Sequence, residues 1–389
     1  MLRVGIIGVG NMGSNHAQCF KDNRIENGKL TAICDINPDK IEKQREKFGD
    51  EVAYFDNASD LINSGLVDGV IIATPHYFHP EMSIEAFNAG LHVLCEKPIG
   101  VYTKNIYAVH EAAKKSGKVF GVNFLLRSYH VYKKIKEMMD NKEIGEMKRV
   151  TWIITDWYRN QAYFNSGGWR ATWGGEGGGT LLNQNPHQLD LFQWFCGMPK
   201  RVRAFCYFGK NRDVEIEDEA TAYFEYENGA TGVYITSVSE YPGTNRLEIA
   251  GTKGKIVYEN GKIKFTKLAM DERDFNKTCE KPFGEEIEKE EIDVEFDHSE
   301  QFNLGIMINN WVDAAVNGEE LIAPGYDGIN SLNISNGIYL STWNDDWVDL
   351  PVDEDAFYAK LQEQIKNSTY VKPEVKEVES DFSSSFHKS

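Results

Sequence analysis

Along residues 2–122, short apolar runs alternate with stretches whose apolar positions recur at helical spacing. The runs at 4–7, 30–34, 52–55, 69–73, 91–95 and 119–122 are rich in β-branched residues. Most are continuously apolar, the pattern of strands buried on both faces. Helices are expected up to Phe20, over 38–48, from Ala58, over 80–88 with Gly90 as a C-terminal stop, and over 103–116. Such alternation predicts a doubly wound parallel sheet. From about 147 the pattern changes. RVTWIITDW, RVRAFCYF, ATAYFEY, TGVYITSVS, RLEIAGT and KIVYENGKIKF alternate apolar and polar positions between turns such as Glu227-Asn228-Gly229 and Glu259-Asn260-Gly261. One face of an antiparallel sheet packed and the other free explains that alternation. Late helices are expected at about 299–317 and 324–343. From about Lys366 the chain is Ser-, Glu- and Lys-rich, and reads as a mobile tail or an arm on a neighbour. The expected division is 1–123, 124–365 and a polar tail, 366–389.

The first strand runs into Gly8-Val9-Gly10-Asn11-Met12-Gly13. Gly8 permits the bend out of the strand, Gly10 lets a pyrophosphate approach the backbone, and Gly13 lets the new helix lie close on the sheet. Amides at the start of that helix suit an anion. Asp35 ends the second strand, where a carboxylate accepts from an adenosine ribose and repels a 2′-phosphate. No cation follows until Lys40. The expected cofactor is NAD.

With 389 residues, 41% of them hydrophobic and 26% charged, the chain is long enough for two cores. A net charge of −18 argues against nucleic acid and anionic membranes as partners. The six cysteines are scattered without CxxC pairs, so neither a disulfide framework nor a zinc site is expected, and no other metal. The first strand starts at residue 2 and no apolar run reaches membrane-spanning length, so a cytoplasmic protein is expected.

Three further segments carry unusual residues. Ala73-Thr74-Pro75-His76-Tyr77-Phe78-His79 ends the fourth strand, where a nicotinamide lies in such a sheet; Thr74, Pro75 and His79 are candidate cofactor contacts, although a structural His79 is equally open. Glu96-Lys97-Pro98 follows the fifth; its Lys–Pro bond invites a cis turn aiming the Lys97 ammonium across the crevice, or Lys97 is a surface lysine paired with Glu96. Gly177-Gly178-Gly179 precede Asn183-Gln184-Asn185-Pro186-His187, with a helix starting near Asn185. Asn183 and His187 are four apart, and the glycines suggest backbone in close approach to something.

These segments, in this order, resemble the Gfo/Idh/MocA oxidoreductases, named after glucose–fructose oxidoreductase and inositol dehydrogenase. The resemblance reaches to about residue 360. It implies an N-terminal Rossmann domain, a C-terminal α/β domain with a large open, mostly antiparallel sheet used for dimerisation, and nicotinamide-dependent hydride transfer at sugar or polyol carbons. It makes Lys97 the active-site lysine, also beside the cofactor with Glu96, and His187 the general acid/base. Arg127 and Arg170 match positions that reach substrate. Many relatives carry Asp where this chain has Asn183, which orients an imidazole without charge to stabilise it. His187 is then a weaker base, or Lys97 carries more of the work.

Trp152, Trp157, Trp169 and Trp173 bracket a loop also holding Tyr158, Tyr163 and Phe164. Aromatic faces stack on pyranose C–H groups, while Asp156, Arg159, Asn160, Gln161 and Arg170 suit hydroxyls; Trp152 reads as core. The candidate substrate contacts are thus Arg127, Asp156, Tyr158, Trp169, Arg170 and Asn183. The expected reaction is reversible oxidation of a secondary hydroxyl of a sugar, glycoside or polyol, C3 of a glucoside among them, in a homodimer or a tetramer built from it. An NAD-retaining glycosidase acting through transient C3 oxidation, and a non-catalytic NAD sensor, are the alternatives.

Overall fold

The computed structural model describes residues 1–299 and 302–373. The first sheet holds β1 (Leu2–Ile7), β2 (Gly28–Cys34), β3 (Ala53–Phe55), β4 (Gly69–Ile72), β5 (His92–Cys95) and β6 (Phe120–Val122). All its pairings are parallel, in the order β3-β2-β1-β4-β5-β6. Helices α1 (Asn11–Lys21), α2 (Pro38–Phe48), α3 (Ala58–Ile62), α4 (His79–Asn88) and α5 (Ile106–Ser116) make the crossovers. Asn37 caps α2 through its side chain, with Pro38 in the first turn, and Asn57 caps α3. The order reverses between β1 and β4, which opens a crevice at the strands' carboxyl ends.

After α6 (His130–Asp140) come β7 (Met147–Ile154), α7 (Gln161–Asn165) and α8 (Pro186–Cys196). The second sheet continues with β8 (Arg201–Phe208), β9 (Glu217–Glu225), β10 (Thr231–Ser237), β11 (Asn245–Gly251), β12 (Gly254–Glu259), β13 (Lys262–Leu268), and, past the short α9 (Glu272–Thr278), β14 (Lys289–Val294). With β15 (Val348–Asp349) at its edge, the order is β14-β13-β12-β11-β7-β10-β9-β8-β15, antiparallel except for β7 with β10. Its alternating inner residues, Val202, Ala204, Phe224, Ala222, Tyr234, Trp152, Leu247 and Ile249, are buried against the helices. Phe205, Tyr207 and Tyr223 stand exposed on the other face.

Chain order and spatial order part at α10 (Leu304–Asn317). Although it follows the second sheet's main strands, it packs on the first. Trp311 is fully buried there, and Cβ atoms at Gly69 and Gly121 would lie 2.9 and 3.3 Å from its ring. Asn309 Nδ2 donates to Arg24 O and Asn27 Nδ2 to Asp313 Oδ1, each at 2.7 Å. One apolar core therefore runs from β1 through to α11 (Gly328–Asn344) and α12 (Glu354–Asn367). The tail reading needs correction where it is described. The helix α12 extends to Asn367, and the chain beyond it lies on its own molecule: Tyr370 OH donates to Asp213 O at 2.8 Å, and Lys372 Nζ to Phe164 O and Arg170 O at 3.0 and 2.7 Å. The remainder, 374–389, lies outside the described residues.

Candidate active site

One cleft of about 1450 Å³ runs from the glycine turn to the aromatic loop. Small-molecule sites commonly measure about 300–1,000 Å³, so this one has room for a dinucleotide and a second ligand. At the dinucleotide end Gly8 has φ +88°, and a Cβ there would meet Ala73 O at 2.8 Å. A Cβ on Gly13 would lie 1.8 Å from Gly8 O, so α1 sits where only glycine lets it. Gly10 differs, since its Cβ would meet no atom of the described residues within 4 Å. Gly10, Asn11 and Met12 line the cleft, and the open space in front of Gly10 is of the kind a pyrophosphate needs. Asp35 is buried, taking Val9 N on Oδ2 at 2.8 Å and Asn37 N on Oδ1 at 2.9 Å. The turn and the acid are thereby fixed to each other, and the donors and acceptors present fit a dinucleotide with an unphosphorylated 2′-hydroxyl.

At the end of β4, Thr74 and Pro75 line the cleft. His79 does not offer a free ring nitrogen there: Nδ1 and Nε2 each lie 2.7 Å from a carbonyl, of Pro98 and Thr74. It braces the turn after β5 against β4, and the expectation of a cofactor ligand gives way to that role. Glu96 is spent in the same manner. Its Oε1 meets His16 Nε2 at 2.7 Å and accepts from Asn123 Nδ2 at 2.6 Å, while Oε2 takes Lys97 N at 3.2 Å. Burial would raise the Glu96 pKa, but His16, Lys97 and Asn123 together outweigh it and hold it at about 2.

The Lys97–Pro98 bond is cis. Lys97 Nζ crosses from the first domain to the second and donates to Asn183 O at 2.7 Å. Burial pulls its pKa down; Glu96 opposes, Arg170 and Arg159 add to the fall, and the value settles at about 8. His187, in the first turn of α8, lines the same cleft and is almost wholly buried. Burial, then Lys97, takes its pKa to about 3, and its Nδ1 has no hydrogen-bond partner among the described residues.

Of two expectations about the segment before His187, one is overturned and one is met. Asn183 lines the cleft, but its Nδ2 donates to Glu176 Oε1 rather than orienting the imidazole. Glu176, unremarked in the sequence, is fully buried and takes Ala171 N on Oε2 at 2.7 Å. The three glycines do approach something closely, but it is protein. Cβ atoms there would strike Val101 at 2.3 Å from Gly177, Tyr339 OH at 2.4 Å from Gly178 and Glu217 O at 2.0 Å from Gly179. The Glu217 carboxylate takes Gly179 N and Leu181 N, both at 2.8 Å. It pins a single π-helical turn, Thr180–Gln184, that feeds into α8.

Arg127 is not a substrate contact either. It lies 2% exposed, with Nε and Nη2 on the two oxygens of Asp190 at 2.7 Å and Nη1 on Asp327 at 2.7 Å. Every terminus of its fork is occupied, and it does not line the cleft. In the aromatic loop, Trp157, Arg159, Tyr163, Trp169 and Arg170 face the cleft, whereas Asp156 and Tyr158 do not. Asp156 is turned toward Asn245, and burial lifts its pKa to about 6. Tyr158 packs on Tyr241 and Arg212. Trp152, Phe164 and Trp173 are core. His76, passed over in the sequence, lines the cleft, donates from Nδ1 to Glu176 O at 3.0 Å and meets Trp169 edge-on at 5.0 Å. Gln184 also lines it and donates to Tyr163 OH at 2.9 Å. His76 and Gln184 both lie in segments that carry unusual residues, but no local signal within those segments marks either one as lining the cleft.

Residues 2–124 match the family described as "Oxidoreductase family, NAD-binding Rossmann fold", and residues 132–257 match the GFO/IDH/MocA C-terminal domain. Myo-inositol 2-dehydrogenase of Thermotoga maritima is 30% identical over 269 residues, 67% of this chain and 75% of that protein. Glucose-6-phosphate 3-dehydrogenase of Bacillus subtilis is 25% identical over 283 residues, 69% of this chain and 77% of its own. Among solved structures, the WlbA dehydrogenase of Chromobacterium violaceum, in complex with NADH and UDP-GlcNAcA, is similar with a TM-score of 0.75 and 25% identity, over 90% of this chain and 96% of that one. With a parallel sheet that reverses order at a glycine turn, a mixed sheet behind it and matches across both, this chain belongs to the GFO/IDH/MocA oxidoreductases.

Proposed function

We propose that this protein is an NAD(H)-dependent dehydrogenase acting on a secondary hydroxyl of a sugar, glycoside or polyol. The observation that carries this reading is the meeting of Lys97, from the end of β5, with His187 and the Asn183 carbonyl in the cleft that begins at the glycine turn. The inositol and glucose-6-phosphate dehydrogenases among its relatives, and the NADH bound to WlbA, support it. Asp35 favours NAD(H) over NADP(H), because a buried carboxylate held by Val9 N repels a 2′-phosphate.

A bound nicotinamide supplies the hydride acceptor or donor. The chain's own groups handle the proton. General acid/base groups work best with a pKa near the working pH, and Lys97 at about 8 meets that condition while His187 at about 3 does not. In oxidation, neutral Lys97 gives one N–H to Asn183 O and accepts the substrate hydroxyl proton on its lone pair. His187 stays neutral and hydrogen-bonds the reacting oxygen. Trp157 and Trp169 offer ring faces to sugar C–H groups and, with Tyr163, exclude water from the far end.

The test is NADH formation by the NAD-loaded protein across neutral and charged monosaccharides, glycosides and polyols, with the oxidised product identified. One NADH per ketone formed is expected. Glycosidic cleavage without net NADH would replace the dehydrogenase by an NAD-retaining glycosidase, and failure to turn over any substrate would leave only a binding protein.

A further inference from the structure

We propose that the substrate carries an anionic group, a carboxylate or a phosphate ester, and that Arg159 and Arg170 hold it; this rests on the dehydrogenase reading above. In a chain of net charge −18, the cleft wall beyond Lys97 gathers two more cations. Of the acids near them, Asp156 faces Asn245 and acts on Arg159 only through space, and Glu96 and Glu176 are already engaged. Glu96 serves His16 and Asn123, and Glu176, 3.8 Å from Arg170 Nη1, has Asn183 on one oxygen and Ala171 N on the other. Among the described residues Arg159 has no carboxylate within ion-pair distance and its buried Nε has no hydrogen-bond partner; its Nη1 donates to Tyr158 O at 3.0 Å, and its side chain also bonds Tyr163.

A guanidinium carries five N–H donors, and removing it from water is costly unless those donors and the charge are answered. Arg159 and Arg170 are also held in place. The carbon of the Arg159 guanidinium lies 5.3 Å from the Trp157 ring and 5.2 Å from that of Tyr163, and Arg170 lies 4.5 Å from both Tyr163 and Trp169. Arg170 Nη1 donates to Tyr163 OH at 2.7 Å, and Gln184 Nε2 donates to the same oxygen. Two guanidinium forks fixed by aromatic faces suit the planar, multidentate recognition of carboxylate or phosphate, whereas neutral hydroxyls need no such charge. The dinucleotide's own phosphates do not account for them. Those phosphates belong at the glycine turn before α1, while both arginines come from the second domain and press on the Lys97 ammonium at the reacting end.

The test is calorimetric titration of the NADH-loaded protein with a panel of aldoses, the matching uronates and the matching 6-phosphates at low salt. At least one anionic member should bind more than about tenfold tighter than its neutral counterpart, the usual worth of charge-assisted bonds, with the margin shrinking as salt rises. A uronate or a phosphate winning the panel identifies which anion it is. Arg159→Met and Arg170→Met should erase the margin without changing NADH affinity, which also reports an intact fold. No anion outbinding its neutral partner, silence of the whole panel included, overturns the proposal, as does a margin that survives in the double variant. Turnover is read separately: an intact margin without NADH formation from any sugar refutes the dehydrogenase reading and leaves anion recognition standing.

Discussion

Lys97 Nζ and the carbonyl oxygen of Asn183, 86 residues apart, meet at 2.7 Å where the two domains close on the cleft. A lysine from the first domain is thus aimed by a backbone atom of the second, and its ammonium cannot lie flat on its own surface. That contact ties the π-turn to the domain interface, at the lysine proposed to carry the proton.

Lys97→Met should lower the turnover number by about 10²–10⁴-fold, the usual worth of a positioned acid or base, with NADH affinity little changed. With neutral Lys97 as the proposed acceptor, wild-type oxidation should rise with pH and level off above about 8. The variant should lack that limb. A variant with the wild-type pH profile would return the proton to another group.

Asp35→Ser should narrow the preference for NAD(H) by removing the charge that meets a 2′-phosphate. Dissociation constants for both cofactors, measured by fluorescence titration on wild type and variant, check this. NADP(H) binding as tightly as NAD(H) to the unmodified protein would refute the assignment.

Arg127→Met should cost about 3–5 kcal/mol of stability, as removal of one partner from a buried pair does, because Asp190 is left fully buried and uncompensated. Thermal unfolding reads this directly. The Michaelis constant for substrate should not move in the folded variant, and a selective rise would restore Arg127 to the substrate site.

Glu217 is held up at about 7 by burial, against an ordinary value of 4.5, despite the amides of Leu181 and Gly179 and the Tyr339 hydroxyl. A raised folded-state pKa contributes stability that is complete below the unfolded value and lost as pH climbs through the folded one. Between about pH 4.5 and 7 the loss is of order 3 kcal/mol. The melting temperature of Glu217→Gln should therefore fall less across that window than the wild type's. Superimposable profiles would refute the linkage.

Phe205, Tyr207 and Tyr223 are 50%, 46% and 39% exposed on adjacent strands β8 and β9, an aromatic patch of the kind that marks an interface. Light scattering at micromolar concentration is expected to show a homodimer, or a tetramer of such dimers, and Tyr223→Glu to shift it toward monomer. A monomeric wild type would refute the expectation.

What the sequence determined by itself was whatever depends on neighbours along the chain. Continuous β-branched runs read as buried parallel strands, alternation marked the open sheet, and Gly8 to Gly13 with Asp35 marked the nucleotide end. Each reports a backbone demand or a burial period that is fulfilled within a few residues. Tertiary structure decided the partners. Arg127 looks like a substrate residue until Asp190 and Asp327, 63 and 200 positions away, fill its fork. Asn183 and His187 share a turn, yet Glu176 takes the Asn183 amide. Residues 155–160 have no regular secondary structure, so no period foretold that Trp157 and Arg159 face the cleft while Asp156 and Tyr158 turn away. The helix α10 covers the first sheet because Trp311 fills the space left by Gly69 and Gly121, residues of strands far earlier in the chain. A side chain's choice among polar partners is set by which ones folding brings within about 3 Å, and that is a property of the packed chain.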